Sequence, residues 1–399
     1  MTRRGVRVLW IRRKQLDVST SNSVLLEMTS ALEARGDRVK IVAGYRHHRP
    51  TGDRARNVLV VPSVGVPYAY HLCFTAAAPV VMARFIGAWG ADVLLAEPMT
   101  MDVALAARLL SRRPRLPIVM DVRTLPVEAR GVRSIVVPRA YSAGVGLGFR
   151  YASGLSVITQ PLLDEILRRH GSPRNPRRVI WSSGVNLQVF SRSAVDLTQV
   201  ETLRAQLGLR GKRVVMYHGA LTLSRGLGEL IAAVSALWDK GRSDVRLVIF
   251  GSGVDSDRVK RLAETVDSPA GVTVLNAVPY EEVPAYLALA DVGVLPLPDT
   301  LAWRTSSPIK LFEYMAMGIP VVATDIAAHR LVLGAEPFVV YARDTSADAL
   351  GRALETALMW ADCDRRSRGA RARECAESAF SWEAQSEKLS DFLRAVVSE

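Results

Sequence analysis

Lys310 and Glu313 stand three residues apart in "SSPIKLFEYMAMGIPVVATD" (306–325), a stretch that reads as a helix running into a buried strand. At that spacing both side chains share one helical face. Glu313 falls among Ile309, Phe312 and Ala316, in the apolar half of the helix, where a carboxylate needs a partner. Two arrangements fit. In one, Lys310 and Glu313 form an ion pair on a half-exposed face, worth well under about 1 kcal/mol. In the other, the helix start, the hydroxyls of Ser306 and Ser307 and the Lys310 ammonium neutralise phosphates, while Glu313 accepts hydrogen bonds from sugar hydroxyls. Ser307 is expected as the N-cap, Pro308 as the first helical residue and Gly318 as the C-cap.

Other loops offer similar chemistry. In "YHGALTLSRGLGELIAAV" (217–234), Gly219 ends a strand, Arg225 follows, and Gly226 opens a helix, which outlines a phosphate site or else a solvated turn. In "FGSGVDSD" (250–257), Gly251 and Gly253 allow close backbone approach to a ligand, or simply a tight turn. Nearer the start, "WIRRKQLDVSTSNS" (10–23) offers Arg12, Arg13, Lys14 and small hydroxyl residues, and "MDVRTLPVEARG" (120–131) offers Asp121, Arg123 and Glu128. Arg12, Asp121 and Arg123 are the candidates for the acceptor side. No G-x-G-x-x-G appears in the first half, so a dinucleotide fingerprint is absent.

These loops hang on an alternation of short β-branched strands and helical patterns. Strands are expected at 6–11, 38–44, 57–62, 92–97, 117–122, 155–159 and 178–184, then at 213–219, 245–251, 272–278, 292–298, 320–325 and 338–342. Near-continuous apolar strands separated by helices mean parallel sheets covered on both faces. The expected fold class is therefore α/β, with two doubly wound Rossmann-like domains facing a cleft. The domains are expected at 1–190 and 191–380, with an amphipathic helix at 381–399 after the second sheet is complete. Open parallel sheets bind ligands outside the carboxyl ends of their strands, where all these loops lie.

The chain has 399 residues, 49% of them hydrophobic, enough for two sizeable cores. Charge is uneven: residues 1–190 hold 28 Lys and Arg against 12 Asp and Glu, and the rest hold 24 against 27. The whole excess of +13 therefore lies in the first half, which suits an anionic acceptor, a membrane surface or nucleic acid, unless it reflects arginine-rich composition alone. Interleaved aromatics and a nucleic-acid module are missing, which argues against nucleic acid. Cys73, Cys363 and Cys375 have neither disulfide-framework nor zinc spacing, in keeping with a reducing cytoplasm and no metal. The apolar run "LCFTAAAPVVMA" (72–83), interrupted by Pro79 and closed by Arg84, reads as too short to span a bilayer. The segment 67–90, with Tyr68, Tyr70, Phe74 and Phe85, is expected as a buried helix; the alternative is contact with a lipid.

The segment 306–325 resembles the donor-site segment of retaining glycosyltransferases of family 4, which have the GT-B fold. The similarity continues through 217–234, "VRLVIFGSG" (245–253), "VTVLNAVPYEEVPAYLALADVGVLPLP" (272–298) and "SSGVNLQVF" (182–190). The resemblance implies that Glu313 is the second glutamate of an E-x7-E pattern and holds the nucleotide's ribose. It places Arg225 on the diphosphate, Ser307 and Lys310 where the helix start meets the phosphates, and Val278, Pro279 and Glu282 at the base. Two positions depart from the pattern: Thr305 replaces the first glutamate, and Ala220 stands where an arginine is often found. The implied reaction moves a sugar from a nucleotide diphosphate sugar to a hydroxyl acceptor with retention, by front-side attack with the leaving phosphate as base. The resemblance also makes 1–190 the acceptor-binding domain and 191–380 the nucleotide-sugar-binding domain, has the helix at 381–399 cross back to the first domain, and requires no further cofactor. A nucleotide-sugar epimerase of similar shape and a non-enzymatic basic binding protein are the alternatives.

Overall fold

The computed structural model describes residues 4–13, 23–44, 57–62, 67–126, 133–266 and 271–398. Lys14 with the hydroxyl-rich segment after it, Glu128, and the side chain of Tyr68 lie outside the described residues. The chain forms two compact units, Met1–Ser182 with Trp382–Glu399, and Ser183–Ser381. The division falls between Ser182 and Ser183, eight residues ahead of the expected boundary. Residues 183–190 join the second unit because Val185 donates to the Phe380 carbonyl at 2.8 Å and Phe190 is buried in that unit's core.

The first unit holds β1 (Arg7–Ile11), β2 (Arg38–Gly44), β3 (Val58–Val61), β4 (Val93–Ala96), β5 (Ile118–Val122), β6 (Gly154–Val157) and β7 (Arg178–Ile180), in one parallel sheet of order β3-β2-β1-β4-β5-β6-β7. The second holds β8 (Arg213–Ala220), β9 (Val245–Ser252), β10 (Val272–Asn276), β11 (Val292–Leu295), β12 (Val321–Thr324) and β13 (Val339–Ala342), in the parallel order β10-β9-β8-β11-β12-β13. β4, β5 and β11 are buried along their whole length, as strands covered on both faces must be. Each sheet reverses its strand order once, between β1 and β4 and between β8 and β11, and such switch points open a crevice at the carboxyl ends.

The apolar run near residue 72 extends beyond 72–83 within the helix expected over 67–90. Its helix, Pro67–Trp89, continues through Pro79 and Arg84, and the span Ala69–Trp89 is long and apolar enough to cross a membrane by length and composition. One side, with Tyr70, Phe74, Ala78, Met82 and Ile86, is buried in the first unit's core, while Leu72 and Val80 on the other side are exposed. The helix Trp382–Val397 also belongs to the first unit, packing on the helix Ser23–Ala34 through Leu389 and Leu393. A buried carboxylate pins it. Asp37 accepts from the Val6 amide at 2.9 Å, from Arg394 at 3.1 Å and from the Ser390 hydroxyl.

Candidate active site

The helix Ile309–Ala316 is buried from Lys310 to Ala316, so no face of it is free for a solvated ion pair. Its apolar residues fix its place. The Tyr314 ring packs so closely on Gly293 that a Cβ there would come within 2.6 Å, and its hydroxyl donates to the Met216 carbonyl at 3.0 Å. Phe312 stacks on Phe380 with ring centroids 4.7 Å apart. Pro308, rather than Ser307, precedes the first helical turn. Ser307 Oγ instead accepts from the Ser183 amide at 3.1 Å, and the Ser306 hydroxyl donates to the Trp303 carbonyl at 2.9 Å. Both hydroxyls are thus engaged within the chain, because the segment before the helix must satisfy its own polar groups. The helix ends at Ala316 with Met317 as its cap, and Gly318, the expected cap, takes the left-handed conformation one residue further on.

So placed, the helix sets Lys310 and Glu313 against the carboxyl end of β8, beside the switch point. The Lys310 ammonium is 3.9 Å from the Tyr217 ring centroid and only 8% exposed, and its nitrogen has no hydrogen-bond partner. Burial pushes its pKa well below the usual lysine value; neighbouring Arg225 pushes the same way and Glu313 opposes. Burial raises the Glu313 carboxyl to about 7, with Lys310 opposing. Glu313 Oε2 lies 3.3 Å from His218 Nε2, yet that nitrogen makes no hydrogen bond. The pair is no ion pair, since burial and then Lys310 hold the imidazole well below its ordinary pKa and hence neutral. Gly219 follows at φ 112°, and a Cβ there would stand 3.2 Å from Lys310 Nζ. Glycine at this position leaves the ammonium room and supplies a backbone shape other residues avoid.

Arg225 arrives from the loop after β8. Its guanidinium lies 4.5 Å over the Trp303 ring, and its buried Nε has no hydrogen-bond partner. Trp303 is itself tied back, donating to the Ser224 carbonyl at 3.3 Å. Gly251 and Gly253 have a different reason from ligand approach. A Cβ on Gly251 would come within 1.8 Å of the Gly219 carbonyl oxygen, and one on Gly253 within 2.3 Å of the Leu221 carbonyl oxygen. They let β9 and its following turn lie against the β8 loop. Val278 packs on the second core, while Pro279 and Glu282 flank a short 3-10 turn and are exposed at the edge of the sheet. Thr305 is buried and its hydroxyl donates to the Leu301 carbonyl at 2.9 Å, closing a short helix where the family pattern has a carboxylate.

The first unit gathers its candidates at the carboxyl ends of its own strands. Arg12, after β1, pairs with Glu97, after β4, at 2.8 Å, across that sheet's switch point. Asp121 is fully buried on β5. The Trp181 indole donates to Ser156 Oγ at 2.7 Å and the Ser156 hydroxyl donates to Asp121 Oδ1 at 2.6 Å, leaving Oδ2 without a partner. Burial raises the Asp121 pKa, with Arg123 opposing. The Arg123 guanidinium stacks 3.5 Å over the Trp181 ring and donates to the Trp181 carbonyl at 3.0 Å, and its other terminal nitrogen, Nη2, is buried and unpaired. Sequence reading missed Tyr217, His218, Trp303, Ser156 and Trp181. His218 had a signal, since it directly precedes the strand-ending glycine. The others read as ordinary strand and loop residues.

Two doubly wound units, the second presenting unpaired cations and a buried carboxyl at its switch point, define the GT-B class of glycosyltransferases. Residues 212–359 match the family model for glycosyl transferases group 1, and residues 19–181 match that for the glycosyl transferase 4-like domain. The chain belongs to this family and is a glycosyltransferase. It is 26% identical over 313 residues to the GDP-mannose-dependent alpha-(1-6)-phosphatidylinositol monomannoside mannosyltransferase of Mycobacterium tuberculosis, spanning 71% of this chain and 78% of that protein. It is 27% identical to the alpha-monoglucosyldiacylglycerol synthase of Acholeplasma laidlawii over 42% of this chain and 40% of that one. Among solved structures, sucrose-phosphate synthase from Thermosynechococcus elongatus superposes with a TM-score of 0.77 at 18% identity, covering 98% of this chain and 99% of that one.

Proposed function

We propose that the second unit holds a nucleotide diphosphate sugar and that its sugar passes, with retained anomeric configuration, to a hydroxyl of an anionic, lipid-linked acceptor held by the first unit. One observation carries the reading: the Lys310 ammonium is buried, unpaired and flanked by Arg225 and Glu313. A cation kept out of water without a counterion is unfavourable alone and becomes favourable when an anion arrives. A diphosphate supplies that anion, and its charge grows as the glycosidic bond breaks. Lys310 and Arg225 meet the growing charge in a site already shielded from water, which lowers the barrier to departure. Glu313, ionised, accepts from the ribose hydroxyls. The leaving phosphate oxygen takes the acceptor's proton as the acceptor attacks the oxocarbenium-like carbon from the same face. Asp121 Oδ2 and Arg123 Nη2, both buried and unspent, are the acceptor-side groups.

Two observations favour an acceptor at a membrane surface. The basic excess lies in the first half of the chain, and the exposed side of the helix Pro67–Trp89 carries Leu72 and Val80 with Arg84. The mycobacterial and Acholeplasma relatives are named for lipid products or acceptors. This reading puts the chain in the cytoplasm, peripheral to the inner membrane face. A thermal-shift panel of nucleotide sugars, with GDP-mannose first, tests the donor reading: a tight donor raises the melting temperature by mass action. A flat response to every nucleotide sugar and free nucleotide would overturn it.

A further inference from the structure

A second cavity, of about 670 Å³, opens on the second unit at the opposite ends of its strands. Asp291, just ahead of β11, and Gly318 and Pro320, just ahead of β12, line it. The helix Asp362–Ala379 and the segment around Arg192 complete its walls. Each acid on this surface is answered. Asp291 accepts from the Val214 amide at 2.8 Å and lies 3.3 Å from Arg365. Asp362 pairs with Arg213 at 3.0 Å, and Glu377 pairs with Arg373 at 2.6 Å.

Three arginines keep guanidinium nitrogens unspent. Arg192 spends only its Nε, on the Met317 carbonyl at 2.8 Å. Arg204 has one ionic neighbour, exposed Glu201 at 3.7 Å. Arg366 makes no ion pair or hydrogen bond among the described residues. Guanidinium forks match phosphate oxygens two at a time. The volume is that of an ordinary small-molecule site.

We propose that this cavity is a second anion site, which takes a small phosphate-bearing molecule through Arg192, Arg204 and Arg366. It is separate from the donor site. Arg192 and Arg373 donate to the carbonyls of Met317 and Ala316, at 2.8 and 2.7 Å, and Ala316 ends the helix whose other end carries Lys310. The two sites therefore load one short helix from its two ends.

Calorimetric titration of the full chain with inorganic pyrophosphate at low salt separates them. The wild type is expected to bind two equivalents. R204A/R366A should bind one, its cavity affinity down about tenfold or more with two charge-assisted contacts gone. K310M/R225A should also bind one, at the cavity. Arg366 is exposed and Arg204 makes no hydrogen bond among the described residues, so R204A/R366A should melt close to the wild type. Should the donor reading fail, the wild type binds one equivalent and R204A/R366A none, which still supports the cavity. Unchanged stoichiometry and affinity in R204A/R366A, or loss of all binding in K310M/R225A, overturns the proposal.

Discussion

Replacing Lys310 with methionine should move stability and activity in opposite directions. The ammonium is 8% exposed with an unpaired nitrogen, and Arg225 adds like charge beside it. A buried polar group left unsatisfied costs about 1–3 kcal/mol, and more when charged. The contact with the Tyr217 ring at 3.9 Å offsets part of this, by about 0.5–2 kcal/mol. Methionine keeps the length and fills the space without a charge. The empty K310M chain should therefore gain about 1–2 kcal/mol, which at about 2–4 °C per kcal/mol raises the melting temperature by roughly 2–8 °C. The pH dependence has a definite sign. Because burial lowers the folded-state pKa, the unfolded chain binds a proton that the folded chain sheds. Wild-type stability therefore rises as pH climbs from the lowered value toward the ordinary 10.5. K310M should lack that slope. Turnover should fall by about 10²–10³, the cost of removing one fixed donor from a developing oxyanion. Melting curves across pH 7–10 and nucleotide release from the donor measure both effects. A K310M chain less stable than the wild type, with activity lost only in proportion to the folded fraction, would refute the reasoning.

The carboxyl of Glu313 titrates at about 7, and ribose hydroxyls favour its ionised form, so its contribution to nucleotide affinity should grow as pH rises through that value. Titrations of GDP against wild type and E313Q from pH 6 to pH 8.5 should show a ratio of affinities that widens with pH, toward about tenfold; a constant ratio would remove the carboxylate from ribose binding. In the first unit, D121N keeps the acceptor atom that receives the Ser156 hydroxyl but cannot carry charge. It should raise the acceptor KM about tenfold and leave donor affinity unchanged, and steady-state kinetics with each substrate varied in turn would expose the reverse pattern.

The thirteen strands among the described residues were legible in the sequence because each is a short apolar run bounded by turn residues, and in the central strands burial on both faces left no polar alternation to confuse the period. Their ends drifted by up to four residues. Apolar residues such as Ile158, Ile180 and Leu297 bracket those ends, and hydrophobicity does not mark where pairing stops. Lys310, Glu313 and Arg225 could be singled out because charged residues inside apolar or glycine-rich stretches stand out against their surroundings. Ser307 was misjudged as a cap because its partner, Ser183, is 124 positions away in sequence. For Gly251 and Gly253 the sequence leaves ligand approach and a tight turn both open, because the neighbours a Cβ would meet, the Gly219 and Leu221 carbonyls, are about thirty positions away. The helix expected over 67–90 forms at Pro67–Trp89, but Pro79 made its apolar run look shorter than it is; core packing on one side holds the helix through that residue.

The closing helix, Trp382–Val397, completes a sheet layer whose strands were all made before residue 182. During synthesis the first unit therefore waits, with Leu25, Met28 and Leu32 uncovered, while the ribosome makes the entire second unit. The second unit, being continuous in sequence, can close as soon as it emerges. Completion of the first unit in numerical order is therefore barred, because the helix that covers these side chains is separated from the strands it serves by the whole of the second unit.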